Sequence, residues 1–222
     1  MSGIQYYVID TETTGLKAGH HECTEIGIIR CSDKVQLWKK IICEYPERAN
    51  YDALKITGKT LADIVQGDRK EDVVALANNF IKSDGLTPAH RCIIGHNIIP
   101  FDKKFLHALW ESVGEEFPAN LWLDTLSLTA EFLKKADPKS LNITKTATGR
   151  VSKTLHAACD MLGVKKLSEA HNAKVDSRNN FLLWRDLVEV KKIDYIPHIK
   201  TFVHSIASQQ SVDELLAELE NE

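Results

Sequence analysis

The chain of 222 residues is poor in several things at once. It has five cysteines, an odd number, and no two stand in a CxxC spacing. Cys23, Cys31, Cys43, Cys92 and Cys159 are therefore expected to be buried free thiols, not a disulfide framework or a zinc site. No stretch approaches the roughly 18 apolar residues of a bilayer-crossing helix, so no membrane span is expected. The N-terminal residues lack the charged, apolar, small-residue order of a signal peptide, and the cytoplasm is the expected location. Charge of either sign is not in excess: 28 Lys and Arg stand against 31 Asp and Glu, a formal net charge of −3. That excludes a uniformly basic surface and leaves a local basic patch open. Internal repeats and low-complexity tracts are absent as well.

What is present is ordinary for a globular protein: 43% hydrophobic and 27% charged residues. The length suits one α/β domain, or one domain and a tail. Residues 5–10, 22–31 and 35–45 are rich in Ile, Val, Tyr and Cys, and predict three sequential antiparallel strands. Beyond them, helical patterns alternate with short apolar strands. TLADIVQG and EDVVALANNFIKSDG predict helices, RCIIGHN a buried strand, and FDKKFLHALWESVG an amphipathic helix. LWLDT predicts a strand. LSLTAEFLKKA, TLHAACDMLGV and AKVDSRNNFLLWRDLVEVKK predict helices, and SVDELLAELENE a last acidic one. The order implies a mixed sheet with helices on its faces.

Three short stretches carry acids at the ends of these elements. In YYVIDTETTGL, a buried strand that persists to residue 12 would put Asp10 and Glu12 on one face, because side chains alternate with period two. The same letters also suit a turn with a capping Asp. In IGHNIIPFDKKFL, a strand ends at Gly95-His96-Asn97 and Asp102 follows at a helix start, near the crevice where open α/β sheets bind ligands. Asp102 there also suits simple complementation of the helix dipole. In HNAKVDSRNNFL, His171 lies five residues before Asp176, and Asn172 suits a helix cap. Taken together, four carboxylates and an imidazole fit hard oxygen-preferring cations, Mg²⁺ or Mn²⁺. Clustered carboxylates repel one another unless cations offset them. Two cations roughly 3.5–4 Å apart would stabilise both oxygens of a phosphoryl displacement, and an imidazole of near-neutral pKa would take the proton of the attacking water.

DTETTGL, GHNIIPFD and HNAKVD, in this order, resemble the three motifs of the DnaQ-like (DEDDh) 3′–5′ exonucleases. The resemblance runs from about Tyr6 to Trp184, with ITGKT, WLDTL and LHAACDMLGV as secondary matches. It implies a ribonuclease H-like α/β fold: a five-stranded mixed sheet, its first three strands antiparallel, flanked by helices. It implies an exonuclease domain over 1–192. The segment 193–222 lies beyond the resemblance; Val212, Leu215, Leu216 and Leu219 at helical spacing predict a C-terminal helical tail that docks on the core or binds a polymerase or another partner. The resemblance implies two Mg²⁺ or Mn²⁺ ions held by Asp10, Glu12, Asp102 and Asp176, with His171 as general base. The spacing from Asn97 to Asp102 is five residues, where many members have four. Substrate contacts are implied for Thr11, Thr13, Thr14, Gly15, Leu16, His96 and Asn97. The substrate implied is nucleic acid with a free 3′ end, preferably single-stranded DNA, in proofreading, repair or degradation. RNA 3′-end trimming is the alternative, and a catalytically silent nucleic-acid scaffold or an endonuclease the remaining ones. Separately, KKADPKSLNITKTATGRVSK carries six basic residues and one acidic. It reads as a basic flap in which Lys139, Lys145, Arg150 and Lys153 track a phosphate backbone, or as a solvated loop.

Overall fold

The computed structural model describes residues 3–167 and 171–202. The last part of the loop expected over Lys165–Glu169, and the acidic helix expected over SVDELLAELENE, lie outside the described residues. Six strands form one sheet: β1 (Gln5–Thr13), β2 (Cys23–Arg30), β3 (Gln36–Lys40), β4 (Arg91–Gly95), β5 (Leu121–Asp124) and β6 (Lys200–Thr201), in the order β3-β2-β1-β4-β5-β6. β1–β2 and β2–β3 are antiparallel, and β1–β4 and β4–β5 are parallel. The expected mixed sheet is there, with one strand more than the five expected. The sixth, β6, runs antiparallel to β5 through Thr201↔Leu121 and Trp122↔Lys200. Two residues show no alternation, and Pro197 stands just before them, so nothing local announces the strand. It lies in the 193–222 segment, whose described part also buries Ile193 and Ile199 against the core.

Seven α-helices flank the sheet: α1 (Tyr51–Thr57), α2 (Leu61–Ile64), α3 (Lys70–Lys82), α4 (Asp102–Glu111), α5 (Thr125–Lys135), α6 (Leu155–Leu162) and α7 (Ala173–Arg185) among the described residues. Period-two alternation along β1 sorts its side chains between two cores. Tyr7 and Ile9 pack with Val73 and Ile81 of α3 and Leu106 and Trp110 of α4. Val8 packs on the opposite face with Leu128 of α5, Ala158 of α6 and Leu183 of α7. β4 is apolar on both faces, with Cys92 and Ile94 in one core and Ile93 in the other, as expected for a central parallel strand. Several helix starts carry side-chain caps. Asn50 accepts from Asp52 N and Ala53 N, Thr60 and Asp63 form a reciprocal capping box, and Asn172 accepts from Lys174 N.

α7 lies against β1 and β2. The approach depends on Gly27, the cross-strand partner of Asp10. A Cβ at Gly27 would overlap the carbonyl oxygen of Ala173 and stand 2.8 Å from Ser177 Oγ. Backbone at the start of a helix cannot swing aside as a long side chain can. Gly27→Ala is therefore expected to lower unfolding free energy by about 1–3 kcal/mol, the range for overpacking. Chemical denaturation measures it. An unchanged midpoint would mean that α7 yields freely at this contact.

Candidate active site

The cleft lies where three element ends meet. β1 remains a strand to Thr13, with a register shift between Glu12 and Thr13. Asp10 and Glu12 therefore share one face, the face that α7 covers. Asp176, in the first turn of α7, completes a group with them: one carboxylate oxygen from each of Asp10, Glu12 and Asp176 lies within 4.8 Å of the others. Asp102 enters from the other side. It opens α4, and its Oδ1 accepts both the hydroxyl of Thr11, at 2.7 Å, and the main-chain N–H of Thr11, at 3.1 Å. The same alternation that sends Asp10 and Glu12 toward α7 sends Thr11 toward α4. The four acids line one cleft of about 420 Å³, with Thr11, Thr13, Gly15, Leu16, His96 and His171.

Packing four carboxylates together has an electrostatic consequence. Burial raises the Asp10 carboxyl well above the usual range, and the charges of Asp102, Glu12 and Asp176 add to it. Burial likewise raises Glu12 to about 7, against the opposing pull of the Lys59 ammonium. Asp102 rises to about 7 through burial, against the two Thr11 hydrogen bonds. Glu25 stands directly across the strand from Glu12 and is only 3% exposed. Its charge is met by Lys59 Nζ at 2.9 Å and by the Trp38 indole N–H at 3.3 Å.

The other expected site residues divide. Leu16 is 80% exposed and, with Ile56 at 64%, forms an apolar rim on the cleft. Thr13 Oγ1 donates to Gly15 O. Thr14 is buried and does not line the cleft: its N–H donates to Glu22 O, and its hydroxyl accepts from Glu22 N. Asn97 has an exposed side chain outside the cleft lining and a left-handed backbone, φ 62°, held by a bond from its N–H to Asp124 Oδ1. His171 is also left-handed, φ 58°, and its N–H donates to Asp176 Oδ2 at 2.8 Å. Such backbone is uncommon outside glycine and gathers at functional sites. The ring of His96 spans Thr125 Oγ1, at 3.1 Å, and Lys153 O, at 2.9 Å. It pins the end of the basic segment beside the cleft. Lys139, Lys145, Arg150 and Lys153 are all exposed and lie outside the cleft lining. Three contributors were not foreseen: Thr11 as the holder of Asp102, Ala53, Ile56 and Thr57 of α1 as cleft wall, and His156, whose Nε2 lies 2.9 Å from Asp176 Oδ1. ITGKT marked the α1 region as a segment. LHAACDMLGV likewise marked the α6 region, but nothing in it singled out His156 among nine histidines.

Hard carboxylate oxygens this close, desolvated and mutually repelling, fit a divalent cation of the Mg²⁺ or Mn²⁺ kind. Without one, the folded protein holds protons at Glu12 and Asp102 that the unfolded chain releases. Carboxyls whose folded pKa is raised cost stability above the folded value and regain it as pH falls toward the unfolded value. In EDTA, the melting temperature is expected to rise as pH falls from about 8 to about 5, with a flatter profile for Glu12→Gln. A thermal shift series measures both, and a melting temperature that falls steadily over this range would contradict the assigned burial.

Comparison with known proteins places these features in a family. The DNA polymerase III subunit epsilon of Rickettsia typhi is 36% identical over 113 residues, which cover 48% of this chain and 44% of that one. E. coli exonuclease I, solved with a dT13 oligonucleotide, shares the fold at TM-score 0.68 and 18% identity, over 85% of this chain and 42% of that one. A moderately thermophilic exonuclease I from Methylocaldum szegediense does so at TM-score 0.66 and 19% identity, over 85% and 41%. The chain spans under half the length of each of these relatives. The RNase_T exonuclease model matches residues 7–183, from β1 through the helix that carries Asp176, and the chain belongs to that exonuclease family.

Proposed function

We propose that the chain is a metal-dependent 3′–5′ exonuclease that removes nucleoside 5′-monophosphates from single-stranded DNA. The observation that carries this reading is the convergence of Asp10, Glu12 and Asp176 within 4.8 Å, in a chain of the exonuclease family. The DNA preference takes its support from the dT13-bound exonuclease I and from the polymerase subunit among its relatives.

In this reading Asp10, Glu12, Asp102 and Asp176 hold two Mg²⁺ or Mn²⁺ ions. Two such ions supply charge neutralisation and stabilise the attacking and leaving oxygens of an in-line displacement. The rest falls to the chain itself. Leu16 and Ile56 give the terminal base an apolar surface to stack on, which accepts any base because every base has a π-face. The His171 ring, exposed at the edge of the cleft, takes the proton from the attacking water. Thr11 keeps Asp102 oriented. The exposed Lys139, Lys145, Arg150 and Lys153 follow the phosphates upstream, on a segment that closes on itself through Thr146 N–H to Arg150 O and Ser152 N–H to Thr144 O.

End-labelled DNA and RNA strands, compared in Mg²⁺, Mn²⁺ and EDTA, test the reaction. Metal-dependent release of labelled mononucleotide from the 3′ end of DNA is expected, and Asp10→Ala is expected to abolish it. His171→Ala is expected to lose about 10²- to 10⁴-fold in rate, the usual share of a general base, while still binding metal. Faster release from RNA would turn the reading to 3′-end trimming. Binding without hydrolysis would turn it to a scaffold.

The basic segment has its own test. Replacing Lys139, Lys145, Arg150 and Lys153 by Gln is expected to weaken DNA binding. It should also flatten the log–log salt dependence by up to about 3, at roughly 0.7 per lost single-strand phosphate contact. An unchanged salt slope would make the segment a solvated loop.

A further inference from the structure

His156 has no part in the mechanism above, yet it touches one of its acids. It sits in the first turn of α6, lines the cleft, and places Nε2 at 2.9 Å from Asp176 Oδ1. A carboxylate oxygen only accepts, so the tautomer that makes this bond carries its hydrogen on Nε2. A nitrogen that donates to Asp176 has no lone pair left for a cation. His156 therefore acts on the carboxylate through Nε2 and does not ligate a cation with that atom.

The remaining bonds of Asp176 show what that donation does. Asn179 Nδ2 lies 3.4 Å from the same Oδ1, from the next turn of α7. On the other oxygen, Oδ2 accepts the His171 main-chain N–H at 2.8 Å. A carboxylate has about four lone-pair directions. Two donors occupy Oδ1 and one occupies Oδ2, which leaves Oδ2 with capacity to spare. Asp10 and Glu12 have no comparable clamp from a side-chain donor among the described residues. Asp102 has its own in Thr11. Lys166 Nζ, which pairs with Asp160 at 2.5 Å, also lies 3.5 Å from the main-chain oxygen of His156 and braces this turn of α6.

We propose that His156 is a positioning residue: its Nε2–H engages Asp176 Oδ1, fixes the rotation of the carboxylate, and leaves Oδ2 for a divalent cation shared with Asp10 and Glu12. The inference rests on the cation-binding reading of the cleft. Hydrogen-bonded partners of metal ligands typically set affinity or activity by about 10- to 100-fold. His156 thereby ties α6, an element with no acid of its own in the cluster, to the order of the site.

Calorimetric titration of the full chain with Mn²⁺ tests it in wild type, His156→Phe, His156→Gln and Asp176→Asn. His156→Phe is expected to weaken Mn²⁺ binding about tenfold or more, with the EDTA melting temperature little changed. His156→Gln retains an N–H donor on a side chain of similar reach and is expected to recover most of the loss. In nuclease assays, His156→Phe should raise the metal concentration at half-maximal rate more than it lowers the rate at saturating metal. Equal Mn²⁺ affinity in wild type and His156→Phe would overturn the role of His156 and leave the carboxylate site standing. A His156→Gln variant as weak as His156→Phe would show that ring packing, not donation, matters, and would also overturn it. Absence of Mn²⁺ binding by the wild type would overturn this inference together with the reading beneath it.

Discussion

The close approach of α7 to the β1–β2 ladder is the constraint on which the rest depends. Gly27 has no Cβ, so the Ala173 carbonyl can sit over the strand directly beside Asp10. Three residues later along α7, Asp176 reaches the pair of acids at the end of β1. A helix held farther off would leave Asp10 and Glu12 as two acids on a strand end, and Asp176 as a polar first-turn residue. The chemistry thus begins in a packing distance.

That distance brings like charges together, and the surrounding groups are arranged to offset them. Three of the four acids have different counterweights. Glu12 faces Glu25 across the strands, and Lys59 is inserted beside the pair. Asp102 accepts twice from Thr11. Asp176 accepts from the His171 N–H and from the His156 ring. Asp10 accepts no side-chain hydrogen bond of this kind among the described residues, and burial, with the charges of Asp102, Glu12 and Asp176, raises its carboxyl well above the usual range. Functional sites commonly sit where local stability is given up, and here the buried Asp10 carboxyl is such a place.

How much of this could be read from the chain depends on the range of the interaction. Period two in YYVIDTET placed Asp10 and Glu12 together, provided the strand continued, and it does continue to Thr13. The helices of α3, α4, α6 and α7 declared themselves by apolar spacing and caps. β6 did not, because two residues carry no period. The space at Gly27 and the bond from His156 were invisible for another reason. Each is a contact between residues far apart in the chain, Gly27 with Ala173 and His156 with Asp176, and the composition around them is unremarkable. Thr14 and Asn97 show the converse. Their neighbourhood in the motifs suggested contact with substrate, but Thr14 closes a turn onto Glu22, and the Asn97 backbone is held by Asp124. Proximity in sequence to a reactive residue does not by itself place a residue in the cleft lining.

The cleft also has a directional field that no single residue supplies. α4, α6 and α7 all begin at its wall: Phe101 and Asp102, Thr154 to His156, and His171 and Asp176 line it. A helix start presents unpaired N–H groups and positive partial charge, which favours anions within the first turn. Three such starts converging on one space offset part of the repulsion among the four carboxylates. For the proposed reaction they equally favour a phosphodiester, whose charge would otherwise be repelled by four carboxylates. The fold thus answers the repulsion of its own acids with main-chain dipoles on three sides, and the same dipoles make the acidic cleft approachable by an anionic chain.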